Sequence, residues 1–359
     1  MINVRNLWIG VVTGWLGVVS LAAQPQKDVL RRTDEAFFRT EEARRVGDRV
    51  MLYQRVTGGW PKNIDMAAPL SEEQRAEVLQ ARGRRDDSTI DNGATTQQMA
   101  FLARLYQAQQ HEAYREAFCR AVEYLLGGQY DNGGWPQFWP ENRGYQVHIT
   151  YNDDAMVNTL RLLRDIAEQR EPYGGDLTTD SLRQRAQTAF RKGIDCILAT
   201  QIRVNDRLTV WCQQHDRVTL LPAGARSYEL PSSCAAESAA IVRLLMELPA
   251  PDGRIRDAVR GAMNWFAAHQ IKGGRYERSA GDSRLVPDSA ALPLWARFYD
   301  LAAGEPFFCD RDGIPRRRLE EIGRERRGGY AWYTTRPASL FPLYEQWQKS
   351  FFPLSSKKW

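Results

Sequence analysis

The 359-residue sequence is 43% hydrophobic and 26% charged, enough apolar material for a sizeable core in a soluble chain. Its formal net charge of +5 is spread out, with no dense Lys/Arg run, which excludes a nucleic-acid binder and leaves open attraction to an acidic substrate. Five cysteines at wide spacings, with no CxxC pair, argue against a zinc site and leave buried thiols or one disulfide.

In chain order, Arg5 precedes an apolar stretch over residues 7–22 that ends in Ser20-Leu21-Ala22-Ala23. The stretch is short for a membrane span, which needs about 20 apolar residues. It reads as a signal peptide cleaved after Ala22 or Ala23. No second such stretch follows. The expected organisation is a leader over residues 1–23 and a single domain over 24–359. The protein is then secreted or periplasmic, with no membrane contact in the mature form.

Apolar residues recur at helical spacing over residues 94–109 (Met99, Leu102, Leu105, Tyr106), 113–126 (Ala117, Ala121, Tyr124, Leu125) and 153–168 (Met156, Leu160, Leu163, Ala167). The same spacing predicts helices over 182–200, 235–248, 254–270 and 292–301. Strand signals are few, the best over 207–213 and 145–151. The loops repeat as well. Gly58-Gly59-Trp60-Pro61-Lys62-Asn63 returns as Gly133-Gly134-Trp135-Pro136-Gln137-Phe138, the tryptophans 75 residues apart, and Trp211 follows 76 residues later. That period holds two helices and a long loop. The expected fold is predominantly all-α: an α/α toroid of repeated helix pairs with a few short strands in long loops. An irregular all-α bundle is the alternative.

The long loops carry the residues that could do chemistry. In Thr89-Ile90-Asp91-Asn92-Gly93-Ala94-Thr95, Asp91 or Asn92 precedes a helix and serves equally well as an N-cap. In Tyr151-Asn152-Asp153-Asp154, Asn152 can cap, while the two aspartates favour the helix dipole and only one can face a given pocket. Carboxylates gathered at one mouth suit calcium, which prefers oxygen, and equally suit a hydrolase acid/base pair. Arg226 lies beside Gly224, where it either acts or is tied to Glu229 or a helix end. Arg297 and Arg311 are either carboxylate forks or surface ion pairs. Trp60, Trp135, Trp139 and Trp211 either stack on sugars or anchor their loops on the core.

These motifs, together with Ala225-Arg226-Ser227-Tyr228-Glu229-Leu230-Pro231-Ser232 and Pro293-Leu294-Trp295-Ala296-Arg297-Phe298-Tyr299, resemble in their order the pectate lyases of polysaccharide lyase family ten. The resemblance covers roughly residues 50–344. It implies a toroid with a central groove, Ca2+ as cofactor, and polygalacturonate as the substrate cut by β-elimination. It places calcium on Asp153 and Asp91, the catalytic base on Arg226, and substrate-gripping arginines on Arg297 and Arg311. Cys309-Asp310 departs from the family pattern before Arg311. Lys62, Asn63, Trp135 and Tyr228, within the matching motifs, are expected to contact substrate, and a monomer is expected. Two other readings stand beside this one: a glycoside hydrolase using Asp91 and Asp153, and a non-catalytic pectin-binding protein.

Overall fold

The computed structural model describes residues 26–351 apart from Ala280. The leader expected over residues 1–23 lies outside the described residues. Eleven α-helices are described: α1 (Glu35–Phe38), α2 (Glu41–Tyr53), α3 (Glu72–Ala81), α4 (Thr96–Gln109), α5 (Glu112–Gly127), α6 (Ala155–Ala167), α7 (Asp180–Thr200), α8 (Ala235–Met246), α9 (Gly253–Ala268), α10 (Arg324–Gly329) and α11 (Leu340–Phe351). Local chemistry sets their starts. Thr40 accepts from Ala43 N ahead of α2, Ser71 and Gln74 close a capping box on α3, and Thr179 accepts from Leu182 N ahead of α7. Each main helix then buries one stripe. In α7 the stripe runs through Leu182, Ala186, Ala189, Phe190, Gly193, Ile194 and Ile197. Gly193 is glycine because a Cβ there would overlap the Leu160 side chain of α6.

The helices alternate between two rows. α4, α6 and α8 pack successively on one another, as do α5, α7 and α9, and each member of one row packs on its sequence neighbour in the other. This is the expected arrangement of repeated helix pairs. The strands are short and all antiparallel. Ser233–Cys234, Phe298–Tyr299, Pro306–Cys309 and Pro315–Arg316 form one four-stranded sheet, and Trp295–Ala296 pairs with Tyr333–Thr334. Ile149–Thr150 pairs with Gln214–His215, and Gly274–Ser279 forms a hairpin with Asp282–Pro287.

Residues 292–301, expected as a helix, are instead two strands, Trp295–Ala296 and Phe298–Tyr299. Pro293 lacks a donor, and the aromatics favour a pleated surface. Three separate partner strands then pair with this segment. The strand expected over 207–213 is regular at two residues, Arg207–Leu208; of the one expected over 145–151, residues 145–147 lie in a 3-10 turn and Ile149–Thr150 form a strand. All five cysteines are free thiols.

The repeated tryptophans have a structural origin. A helix leaves its last four carbonyls without intrahelical partners. Trp60 donates its indole N–H to Val50 O (2.8 Å), Trp135 to Leu125 O (2.7 Å), Trp211 to Ile197 O (2.7 Å) and Trp295 to Phe266 O (2.9 Å). Each acceptor lies in the final turn of α2, α5, α7 or α9, and all four rings are buried. Each ring thus closes one helix end, and Trp60, Trp135 and Trp211 lie on the segments that lead to α4, α6 and α8. Trp135→Phe is expected to lower stability by about 1–3 kcal/mol, the cost of stranding a buried carbonyl. Denaturant unfolding measures it, and an unchanged midpoint would deny the anchoring role.

Candidate active site

The loops fixed by Trp60 and Trp135 end in matched turns. Asp91–Gly93 precedes α4 and Asn152–Asp154 precedes α6. Each contains two consecutive left-handed residues: Asn92 and Gly93 in one (φ 53° and 73°), Asp153 and Asp154 in the other (φ 50° and 61°). Left-handed backbone is costly for residues other than glycine, and Asn and Asp bear it best. The two turns pack against each other. They bring Asp91 and Asp153 together at the starts of the neighbouring helices α4 and α6. Glu237, in the first turn of α8, adds a third carboxylate nearby.

Asp91 is buried. Its Oδ2 accepts from Lys62 Nζ and from Gln137 Nε2 (2.8 Å), while its Oδ1 has no hydrogen-bond partner. Asp153 is exposed and lines a cavity of about 680 Å3, and its Oδ2 accepts from Asn152 Nδ2 (2.8 Å). Its pKa is nonetheless raised, first because surrounding protein removes water and then because the Asp91 charge repels it; Arg297 partly offsets both. Two mutually repelling carboxylates, one with an unpartnered oxygen, fit a hard oxygen-seeking cation such as calcium. Among the described residues, no group of three or more His, Cys, Asp or Glu could hold a metal ion by itself.

Arg297 sits between this pair and the arginines beyond. The pairing of Ser233–Cys234 with Phe298–Tyr299 holds it over the start of α8, where Ala235 N donates to Arg297 O (3.2 Å). Its Nη2 donates to Asn152 Oδ1 (3.0 Å) and Glu237 Oε1 (2.7 Å), and its guanidinium lies 4.6 Å from the Tyr330 ring centre. Burial opposes its charge, but Glu237, Tyr330 and Asp153 together outweigh that and its pKa is raised. Glu237 is itself pushed up by burial, and its Oε2 has no partner. Arg336 forks onto Asp154, with one hydrogen bond of 2.9 Å.

Arg226 is half-exposed, on the loop between Gln214–His215 and Ser233–Cys234. Buried His215 secures the base of that loop. Its Nε2 accepts from Cys212 N (3.1 Å), which leaves Nδ1–H to donate to Leu220 O (2.9 Å). Burial pushes its pKa down to about 4, so the ring stays neutral. Glu229 Oε2 accepts from both the backbone N (3.0 Å) and Nε (2.8 Å) of Arg226. The tie to Glu229 considered from the sequence is therefore present. Burial opposes the Arg226 charge, yet Glu229 prevails and raises its pKa. Glu229 Oε1 accepts from Tyr330 O–H (2.8 Å), so one buried carboxylate links Arg226 to the ring beneath Arg297.

The remaining expected site residues divide. Asn63 Oδ1 accepts from Asn92 Nδ2 (3.0 Å), which puts Lys62 and Asn63 beside the Asp91 turn. Trp135 is buried at 2% exposure, so it offers no face to a sugar; its role as a substrate contact is corrected to a loop anchor. Tyr228 is buried at 4% and is likewise corrected. Arg226, Arg311 and Arg326 lie 5.3, 6.0 and 4.4 Å from its ring centre, so it supports arginines from below. Arg311 is exposed, pairs with Glu325 (2.9 Å) and stands on the Arg226 side of the cluster. Sequence reasoning missed Glu237, Tyr330 and Arg336. Glu237 carries one signal, an acid at the start of α8, the third helix of the α4, α6, α8 row; Tyr330 and Arg336 lie in no repeated motif.

The pectic acid lyase family model matches residues 54–341. The chain belongs to the pectic acid lyase family. It is similar to the family 10 polysaccharide lyase from Cellvibrio cellulosa at 34% identity, with TM-score 0.78, covering 92% of this chain and 98% of that one. A mutant of that enzyme in complex with trigalacturonic acid matches at 35% identity and TM-score 0.78, covering 90% and 97%. No curated protein matches the chain. Membership makes this polysaccharide lyase a poor match to the hydrolase alternative. No helix among the described residues is long and apolar enough to cross a membrane.

The raised Asp153 pKa has a consequence for stability. A carboxyl whose folded pKa is raised contributes stability that is full at low pH and is lost as pH rises through that value. With chelator present, Asp153→Asn is expected to melt above wild type at pH 7, with the gap closing below the ordinary carboxylate range. Scanning calorimetry checks this, and a variant that melts lower at pH 7 would contradict the repulsion.

Proposed function

We propose that this pectate lyase cuts polygalacturonate by calcium-assisted β-elimination in the extracellular or periplasmic space. The observation that carries the reading is the face-to-face pair of aspartate turns, with Asp91 Oδ1 unpartnered and Asp153 repelled by its neighbour. Asp91 and Asp153 would hold calcium, with Lys62 as the local counter-ion of Asp91. Bound calcium would neutralise the uronate carboxylate and so favour loss of the adjacent C5 proton.

The chain's own residues supply the rest. Arg297, already fixed by Glu237, Asn152 and Tyr330, is oriented to grip a uronate carboxylate. Arg226 takes the C5 proton through its outer nitrogens, since Nε and the backbone N are occupied by Glu229. The C5–H electron pair forms the C4=C5 double bond, the C4–O bond breaks, and water protonates the leaving oxygen. Arginine is a weak base because its pKa exceeds about 12, and Glu229 raises it further here. A nearby metal charge and an alkaline medium both work in the other direction.

Two outcomes follow from these roles. Polygalacturonate is expected to yield unsaturated, ultraviolet-absorbing products with calcium and none with chelator; reducing ends without unsaturation would sink the reading. Arg226→Lys is expected to lose at least about a hundredfold in kcat, the scale of positioned proton transfer, with KM little changed. The wild-type rate is expected to climb through pH ~9, because only a neutral guanidine accepts the proton. An acid optimum at saturating calcium would point to a carboxylate base.

A further inference from the structure

Two cavities flank the Asp91 turn. One, of about 680 Å3, is lined by Asp153, Glu237 and Arg297; the other, of about 310 Å3, is lined by Lys62 and Asn63. Arg31, Asn92 and Gln97 line both and mark where they meet. Arg31 ends the 3-10 turn Gln26–Arg31, which packs on α4, and its side chain is exposed.

The cations of this groove are Arg31, Lys62, Arg297 and Arg336. Three of them are already paired within the protein: Lys62 with Asp91, Arg297 with Glu237 and Arg336 with Asp154. Arg31 has no hydrogen bond, ion pair or ring contact among the described residues. Asp65, the acid of the smaller cavity, turns back to accept from Ala67 N (3.1 Å). Arg31 also lies outside residues 54–341, the span of the family match.

A polyuronate carries one carboxylate on every sugar. A chain threading both cavities therefore presents a fresh anion at each step, and a cation without a partner among the described residues is best suited to meet it. We propose that Arg31 forms a distal subsite that binds the carboxylate of a uronate away from the bond that is cut. The inference rests on the lyase reading above and deepens it. Because Arg31 is exposed, its effect is modest and belongs to binding rather than to chemistry.

The test compares tri- and hexagalacturonate on wild type, Arg31→Ala and Arg31→Lys. Arg31→Ala is expected to lower kcat/KM on the hexamer about five- to tenfold through KM, and on the trimer by less than about twofold. Arg31→Lys recovers most of the hexamer loss, because charge alone serves an exposed subsite. Calorimetric binding of both oligomers in an Arg226→Lys background gives the same discrimination without turnover. Equal losses on the two oligomers, or no loss on either, overturn the subsite. A wild type that makes no unsaturated product from either overturns the lyase reading instead.

Discussion

Two carboxylates face one another at the starts of neighbouring helices, and much of the surrounding structure works to keep them there. Asp91 and Asp153 repel, and a flexible loop would let them part. They stay together because each sits in a turn of two left-handed residues packed on its twin, with a buried tryptophan anchoring the loop before it. The repulsion is thus stored by the fold instead of being relaxed. A cation is the simplest agent that relieves it.

The two arginines proposed to act on substrate are organised by a second rule, that each is held by a carboxylate. Glu229 holds Arg226, Glu237 holds Arg297, and Tyr330 touches both systems through its hydroxyl and its ring. Such buried pairs are costly to desolvate and cost more when broken, so they favour a fixed geometry over stability. For Arg226 the arrangement carries a tension. The carboxylate that aims the guanidinium also strengthens its hold on its proton, so in the proposed role as base its activation would fall to metal charge and pH.

The helical rows were legible in the sequence because their stripes follow a clean three-to-four spacing and repeat. The tryptophan period was legible too, but its meaning was not. Spacing alone does not say whether an indole faces a sugar or a helix carbonyl, and Trp135 was misread for that reason. Residues 292–301 were misread because a short apolar run with aromatics fits helix and strand alike, and distant partner strands decided it. Asp91, Asp153, Arg226 and Arg297 were visible through ordered motifs. Glu237 and Tyr330 were not, since their importance comes from contacts between parts of the chain far apart in sequence, such as Glu237 with Arg297 across 60 residues. Arg31 was invisible for a like reason: a lone exposed arginine gains interest only when the cavities beside it and the pairing of its neighbours are known.

In the proposed function the cation site is incomplete in the protein and would be finished by substrate. Calcium takes about six to eight oxygens, more than Asp91 and Asp153 supply. Calcium and oligogalacturonate would then tighten one another's binding by the same factor. The direct measurement is calorimetric titration of calcium into the Arg226→Lys variant, with and without trigalacturonate. The account predicts weak calcium binding alone and much tighter binding with the sugar, a coupling lost in an added Asp153→Ala substitution. Tight binding without sugar, unchanged on adding it, would contradict the shared site.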